Sequence, residues 1–72
     1  MKAVITGKSE LRLSDLTREY TFNIINDLDE IALASQVITA RPAEAAAAIS
    51  SLVAEYETAY YEALDLDIGD EV

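Results

Sequence analysis

The sequence predicts a small α+β single domain: an N-terminal β-hairpin, an ambiguous middle read as more helical than extended, and a long C-terminal amphipathic helix. Three observations carry this expectation. "AVIT" and "ELRL" flank Gly7-Lys8 as two β-rich runs flank a two-residue turn. "RPAEAAAAISSLVAEYETAYYEAL" is rich in Ala, Glu and Leu, the residues that lose least on entering a helix. The chain has 72 residues, of which 51% are hydrophobic, too apolar for disorder and short enough for one domain.

The hairpin is expected over residues 1–13. Alone it would be weak, so a helix must cover it. Residues 14–40 admit two readings. As a helix, Ser14 caps and Asp15 lies in the first turn. Leu16, Tyr20, Ile24, Leu28, Ile31, Ala34 and Ile38 then share a face. Phe22, Leu33 and Val37 fall outside that face, and Asp27 falls inside it. Thr17, Thr21, Asn23 and Asn26 are poor helix formers. As strands, "YTFNI" alternates, "QVIT" is β-branched and "NDLD" suits a turn. The helical reading is preferred, with a break near Asn26-Asp27. The alternative is a small antiparallel sheet covered by the C-terminal helix.

The final helix is expected over 43–64, with Pro42 at or just before its first turn. Glu44 suits the positive N-terminal end of the helix dipole, and Glu62 opposes the negative C-terminal end. Ala45, Ile49, Leu52, Val53, Tyr56, Tyr60, Ala63 and Leu64 fall within an arc of about 120°. Glu44, Ser51, Glu55, Thr58 and Glu62 form a stripe on the far side, with Glu57 and Tyr61 on the flank. Glu44 to Glu55 spans roughly 16 Å and Glu55 to Glu62 roughly 10 Å, too far for joint acid–base chemistry. Residues 65–72, "DLDIGDEV", form an acidic tail.

Charge is unevenly distributed. The net charge is −9, and residues 42–72 hold eight acids and no base, so they carry −8 of it. Such a half repels phosphate, which argues against direct nucleic-acid or anionic-membrane binding and for a basic protein partner. Solubility alone is the plainer use of the same charge. No apolar run approaches the roughly 18 residues of a membrane span. "MKAVITGKSE" lacks the apolar core of a secretory signal, so a cytoplasmic location is expected.

Motifs for chemistry are scarce. Cys and His are both absent, which disfavours disulfides, structural zinc and the commonest catalytic bases and nucleophiles. "TGKS" resembles the end of a phosphate loop, but Lys2 stands where the first glycine is needed. In "DLDIGDEV" the calcium-loop spacing fails: Gly69 falls at position 5, Asp70 at position 6, and no bidentate Glu follows. No catalytic, metal or cofactor-binding residue is assigned, and no enzyme activity is expected.

The functional expectation is a protein-binding module, an inhibitor or modulator that engages a basic surface and resembles a nucleic acid in charge. Its candidate contact residues are Glu44, Glu55, Tyr56, Glu57, Tyr60, Tyr61, Glu62, Asp65, Asp67, Asp70 and Glu71. Tyrosine is enriched at interface hot spots, and Tyr56 and Tyr60 lie one helical turn apart. The same tyrosines also suit a core rim. The alternative is a structural or assembly subunit whose apolar helix face forms a homodimer or larger homo-oligomer.

Overall fold

A computed structural model describes all 72 residues. Strands β1 (Lys2–Lys8), β2 (Arg18–Ile25) and β3 (Ile31–Ala40) form an antiparallel sheet in the order β1-β2-β3. Helix α1 (Pro42–Ala63) then crosses one face of that sheet. The α+β class is as the sequence predicts, and α1 begins and ends one residue before its expected bounds.

The middle of the chain corrects the helical reading: it is two strands. Tyr20, Phe22 and Ile24 face the helix, while Glu19, Thr21 and Asn23 face away. Phe22 and Ile24 pair across β2 with Ile5 and Ala3 of β1. Residues that step by four share a helix face, but four is even, so Leu16, Tyr20, Ile24 and Leu28 satisfy a strand equally well. Phe22, two positions from its neighbours, separates the periods, and the β-branched Thr17 and Thr21 agree with it.

The N-terminal hairpin is corrected too. Gly7 and Lys8 are no turn. They lie inside β1, opposite Thr21 and Tyr20, just after a bulge that follows Ile5. "ELRL" is not its partner strand, and its single bridge, from Arg12 to Thr17, lies outside β1. The reversal lies at residues 13–16, where Leu16 adopts φ 59°. The Asp15 carboxylate accepts the Thr17 amide at 3.1 Å and the Thr17 hydroxyl at 2.6 Å. The Thr17 hydroxyl bond, aided by the amide, holds the Asp15 carboxyl below its ordinary range. Ser9 closes the loop onto β2: its amide donates to the Glu19 carbonyl and its hydroxyl accepts the Glu19 amide, both at 2.9 Å.

The core is small. Phe22 and Ile24 meet Ile49 and Val53 of α1, and Ala45 completes the buried set. Ala45, Ile49 and Val53 step by four, one row along the helix. The apolar face expected to run to Leu64 is therefore used only in its first half. Tyr60 and Leu64 lie beyond it, exposed. Pro42 starts the helix where its missing N–H costs little, behind an extended Arg41 that offers no side-chain cap.

Two irregularities shape β3. Between the Phe22–Gln36 and Ile24–Leu33 pairs, Ala34 and Ser35 stand opposite Asn23 alone. Ser35 takes φ 56°, and its amide donates to the Asn23 side-chain oxygen at 2.9 Å. The next shift leaves Ala32 without a Cα partner, and its carbonyl accepts the Tyr56 hydroxyl at 3.3 Å.

With so few buried side chains, each matters. Phe22→Ala should cost about 3–5 kcal/mol, enough to unfold much of the population, whereas Leu13→Ala at an exposed site should stay within about 0.5 kcal/mol. Urea unfolding followed by circular dichroism checks both. Ser35→Gly should raise stability by up to about 1 kcal/mol by relieving the left-handed backbone, and Ser35→Val should lower it. The midpoints of the same urea curves give the sign.

Candidate binding surface: the acidic end

The helix returns antiparallel to β3, so its later turns arrive at the β2–β3 turn. Three contacts fix that level. Tyr56 reaches Ala32, the Glu57 carboxylate lies 3.3 Å from the Met1 ammonium, and Asp27 lies 3.7 Å from the same nitrogen. Every residue past this point, Thr58–Val72, is exposed. The chain thus ends as a limb projecting from the sheet. Its extents are 57 × 17 × 14 Å, and its radius of gyration is 15.5 Å, against about 11 Å for a compact chain of this length.

The β2–β3 turn adds carboxylates to the base of the limb. The Asn26 side-chain oxygen accepts the amides of Leu28 (2.9 Å) and Glu30 (3.0 Å), and Asp29 sits at φ 59°. Asn26 thus ties the turn down while the side chains of Asp27 and Asp29 stand more than four-fifths exposed.

Sorted by place in the fold, the charges separate more sharply than by sequence. At the end formed by the limb and the β2–β3 turn lie Asp27, Asp29, Glu30, Glu55, Glu57, Glu62, Asp65, Asp67, Asp70 and Glu71, with Lys2 the only basic side chain. At the opposite end Lys8, Arg12, Arg18 and Arg41 balance Glu10, Asp15, Glu19 and Glu44. Ten acids against one lysine give −9, so the whole net charge belongs to one end. Arg12 and Glu19 pair at 2.8 Å within the neutral end.

The expected contact residues are thereby divided. Glu55, Tyr60, Tyr61, Glu62, Asp65, Asp67, Asp70 and Glu71 are brought together as exposed groups on or beside the limb. Glu44 lies in the first turn of α1, among the residues of the neutral end. Tyr56 and Glu57 are half-buried and make contacts within the fold. The tyrosine rings adjoin, with centroids 6.2 Å apart for Tyr56–Tyr60 and 5.5 Å, edge to face, for Tyr60–Tyr61. Asp27, Asp29 and Glu30 were not among the expected residues. Their signal was "NDLDE" taken as a turn, which a helix returning along the next strand must meet.

Comparison with protein-family models, with curated proteins and with solved structures yields no match. What the surface can do therefore follows from its own chemistry. No group of three or more Asp, Glu, His or Cys side chains is arranged to hold a metal ion. In the tail, Asp65 and Asp67 accept the amides of Leu66 (2.7 Å) and Ile68 (2.9 Å), and Asp70 accepts the amide of Asp67 at 2.7 Å. Those carboxylates organise the tail's own backbone and keep further lone pairs free. No helix is long and apolar enough to cross a membrane. An open groove of about 690 Å³ runs between β1 and α1, and its only charged side chains are Lys2 and Glu57.

The tyrosines should respond differently to substitution. Tyr56→Phe removes the bond to the Ala32 carbonyl and should cost about 0.5–1.5 kcal/mol. Tyr60→Ala and Tyr61→Ala remove exposed rings and should stay within about 0.5 kcal/mol. Thermal unfolding of the three variants separates tyrosines that hold the fold from those left free to bind.

Proposed function

We propose that this protein is a non-enzymatic binding module whose acidic end engages the basic surface of a partner protein and thereby inhibits or modulates it. One observation carries the reading: the entire net charge of −9 gathers at one end of an elongated molecule. Solubility alone calls only for charge dispersed over the surface. Concentrated charge creates a directed field, which steers an oppositely charged partner and fixes its orientation. Tyr60 and Tyr61 place aromatic area beside those carboxylates, and such rings supply binding energy that ion pairs in water do not.

The charge pattern also selects among partners. Phosphate would be repelled, so nucleic acid is not the ligand, although a surface built to hold nucleic acid would suit this end. Catalysis finds no support, since neither His nor Cys is present and the one carboxylate in the groove, Glu57, is engaged by the Met1 ammonium at 3.3 Å. The competing role as an assembly subunit has less of the expected helix face to draw on, because Ala45, Ile49 and Val53 are buried against the sheet while Leu52, Tyr60 and Leu64 stay exposed.

The test is capture from a host extract on immobilised protein, followed by titration of the captured partner. Affinity should fall at least about tenfold between low and moderate salt. A variant with Asn or Gln at Asp27, Asp29, Glu30 and Glu62 should lose most of the binding. One with Gln at Glu10 and Glu44 should keep it. Equal loss in both variants, or affinity insensitive to salt, would overturn the assignment.

A further inference from the structure

We propose that the groove between β1 and α1 receives Leu64–Ile68 of a second copy of this chain, added as a strand along the free edge of β1. The sheet order leaves the outer edge of β1 unpaired. An edge strand presents a row of free amides and carbonyls, which templates one more strand. The groove lies directly beside that edge. Ala3 and Ile5 of β1 form one wall, Ala46, Ser50 and Ala54 of α1 the other, and Tyr20 contributes to the floor. The small side chains of α1 leave the space, and half-exposed Ile5 borders it.

The occupant is written in the tail. Leu64, Leu66 and Ile68 are 59, 68 and 102% exposed, and they alternate with Asp65 and Asp67. In a strand this alternation sends three apolar side chains to one side and two carboxylates to the other. Laid against β1, the apolar row enters the groove and the carboxylates lie over the open face of the sheet. Charge agrees. β1 contains no acid, and Lys2, opposite Ile25, lies on the open face that the carboxylates would cover, while residues 64–72 contain four acids and no base. Lys2 is held only by an exposed pair with Asp29 at 3.7 Å, which an incoming carboxylate can share.

A second copy fits better than the chain's own tail. Ala63 lies about 9 Å beyond Glu57 along the helix axis, already past the start of β1. About three extended residues would be consumed in returning to the sheet, which removes Leu64 and Leu66 from the groove. From another molecule the limb enters directly. Reciprocal exchange about a two-fold axis closes the contact as a dimer rather than a filament. This contact shares Asp65 and Asp67 with the acidic end, but the two tests are separate, since the partner-binding test alters Asp27, Asp29, Glu30 and Glu62 and leaves residues 64–68 intact.

Sedimentation velocity from low to high micromolar concentration tests it on the full chain, on a chain ending at Ala63, on a Leu66→Asp/Ile68→Asp variant and on Ile5→Asp. The full chain should associate as a dimer. The three altered chains, with circular dichroism like that of the full chain, should associate at least about tenfold more weakly. For the second readout, Val72→Cys supplies the only thiol in the chain and carries a spin label. Mixed with isotope-labelled protein lacking the label, it should broaden the amides of Ala3–Lys8 in the other copy. A full chain that stays monomeric, a dimer indifferent to the tail variants, or amides of Ala3–Lys8 left unbroadened in the isotope-labelled copy would each overturn the proposal.

Discussion

The contact of Phe22 and Ile24 with Ile49 and Val53 holds this molecule together. Everything else is arranged around it. A three-stranded sheet this small does not stand alone in water, and a helix needs an apolar face to lie on. Phe22 and Ile24 sit on the central strand, so one helical row reaches both and also draws β1 and β3 beneath the helix. The buried face is short because the sheet is short. The 22-residue helix spans roughly 33 Å, whereas β1 and β2, with seven and eight residues, span only about 23–26 Å. The projecting limb is thus a consequence of mismatched lengths at a single packing contact.

The mismatch decides where charge can collect. Side chains under the helix must be apolar, and those at the far end of the sheet pair with one another, as Arg12 does with Glu19. Beyond Glu57 no packing constraint remains, and the sequence fills that stretch with acids and aromatic rings. The β2–β3 turn lies at the same end, because a helix that follows the last strand runs back toward that strand's start. Antiparallel connection therefore converts two acidic segments distant in sequence into one surface.

Legibility followed the same logic. Helix α1 could be read nearly to the residue, since Pro42 marks its start and its composition leaves no competing structure. The strands were obscured because apolar residues four apart satisfy both periods. Phe22 carried the deciding information but looked like an exception to a helix rather than the centre of a sheet. Gly7-Lys8 misled by its likeness to a hairpin turn. The reversal was instead made by Asp15 and Thr17, whose side-chain bonds are invisible to a pattern of apolar residues. The limb's acids were legible from charge alone. Asp27, Asp29 and Glu30 became part of the surface only once topology was known.

The end of α1 is electrostatically incomplete, and this bears on how the limb would act. Its last turn contains no basic residue, while Glu62 and the following Asp65 stand near the negative end of the helix dipole. Residues 58–63 gain nothing from tertiary packing. They are helical because they extend a segment already nucleated on the sheet, which spares them the cost of starting a helix. Cations brought against this end would offset both the crowded carboxylates and the unpaired terminal carbonyls. Under the proposed reading, binding to a basic surface and ordering of the last helical turns would be favoured by the same charges, and each would strengthen the other.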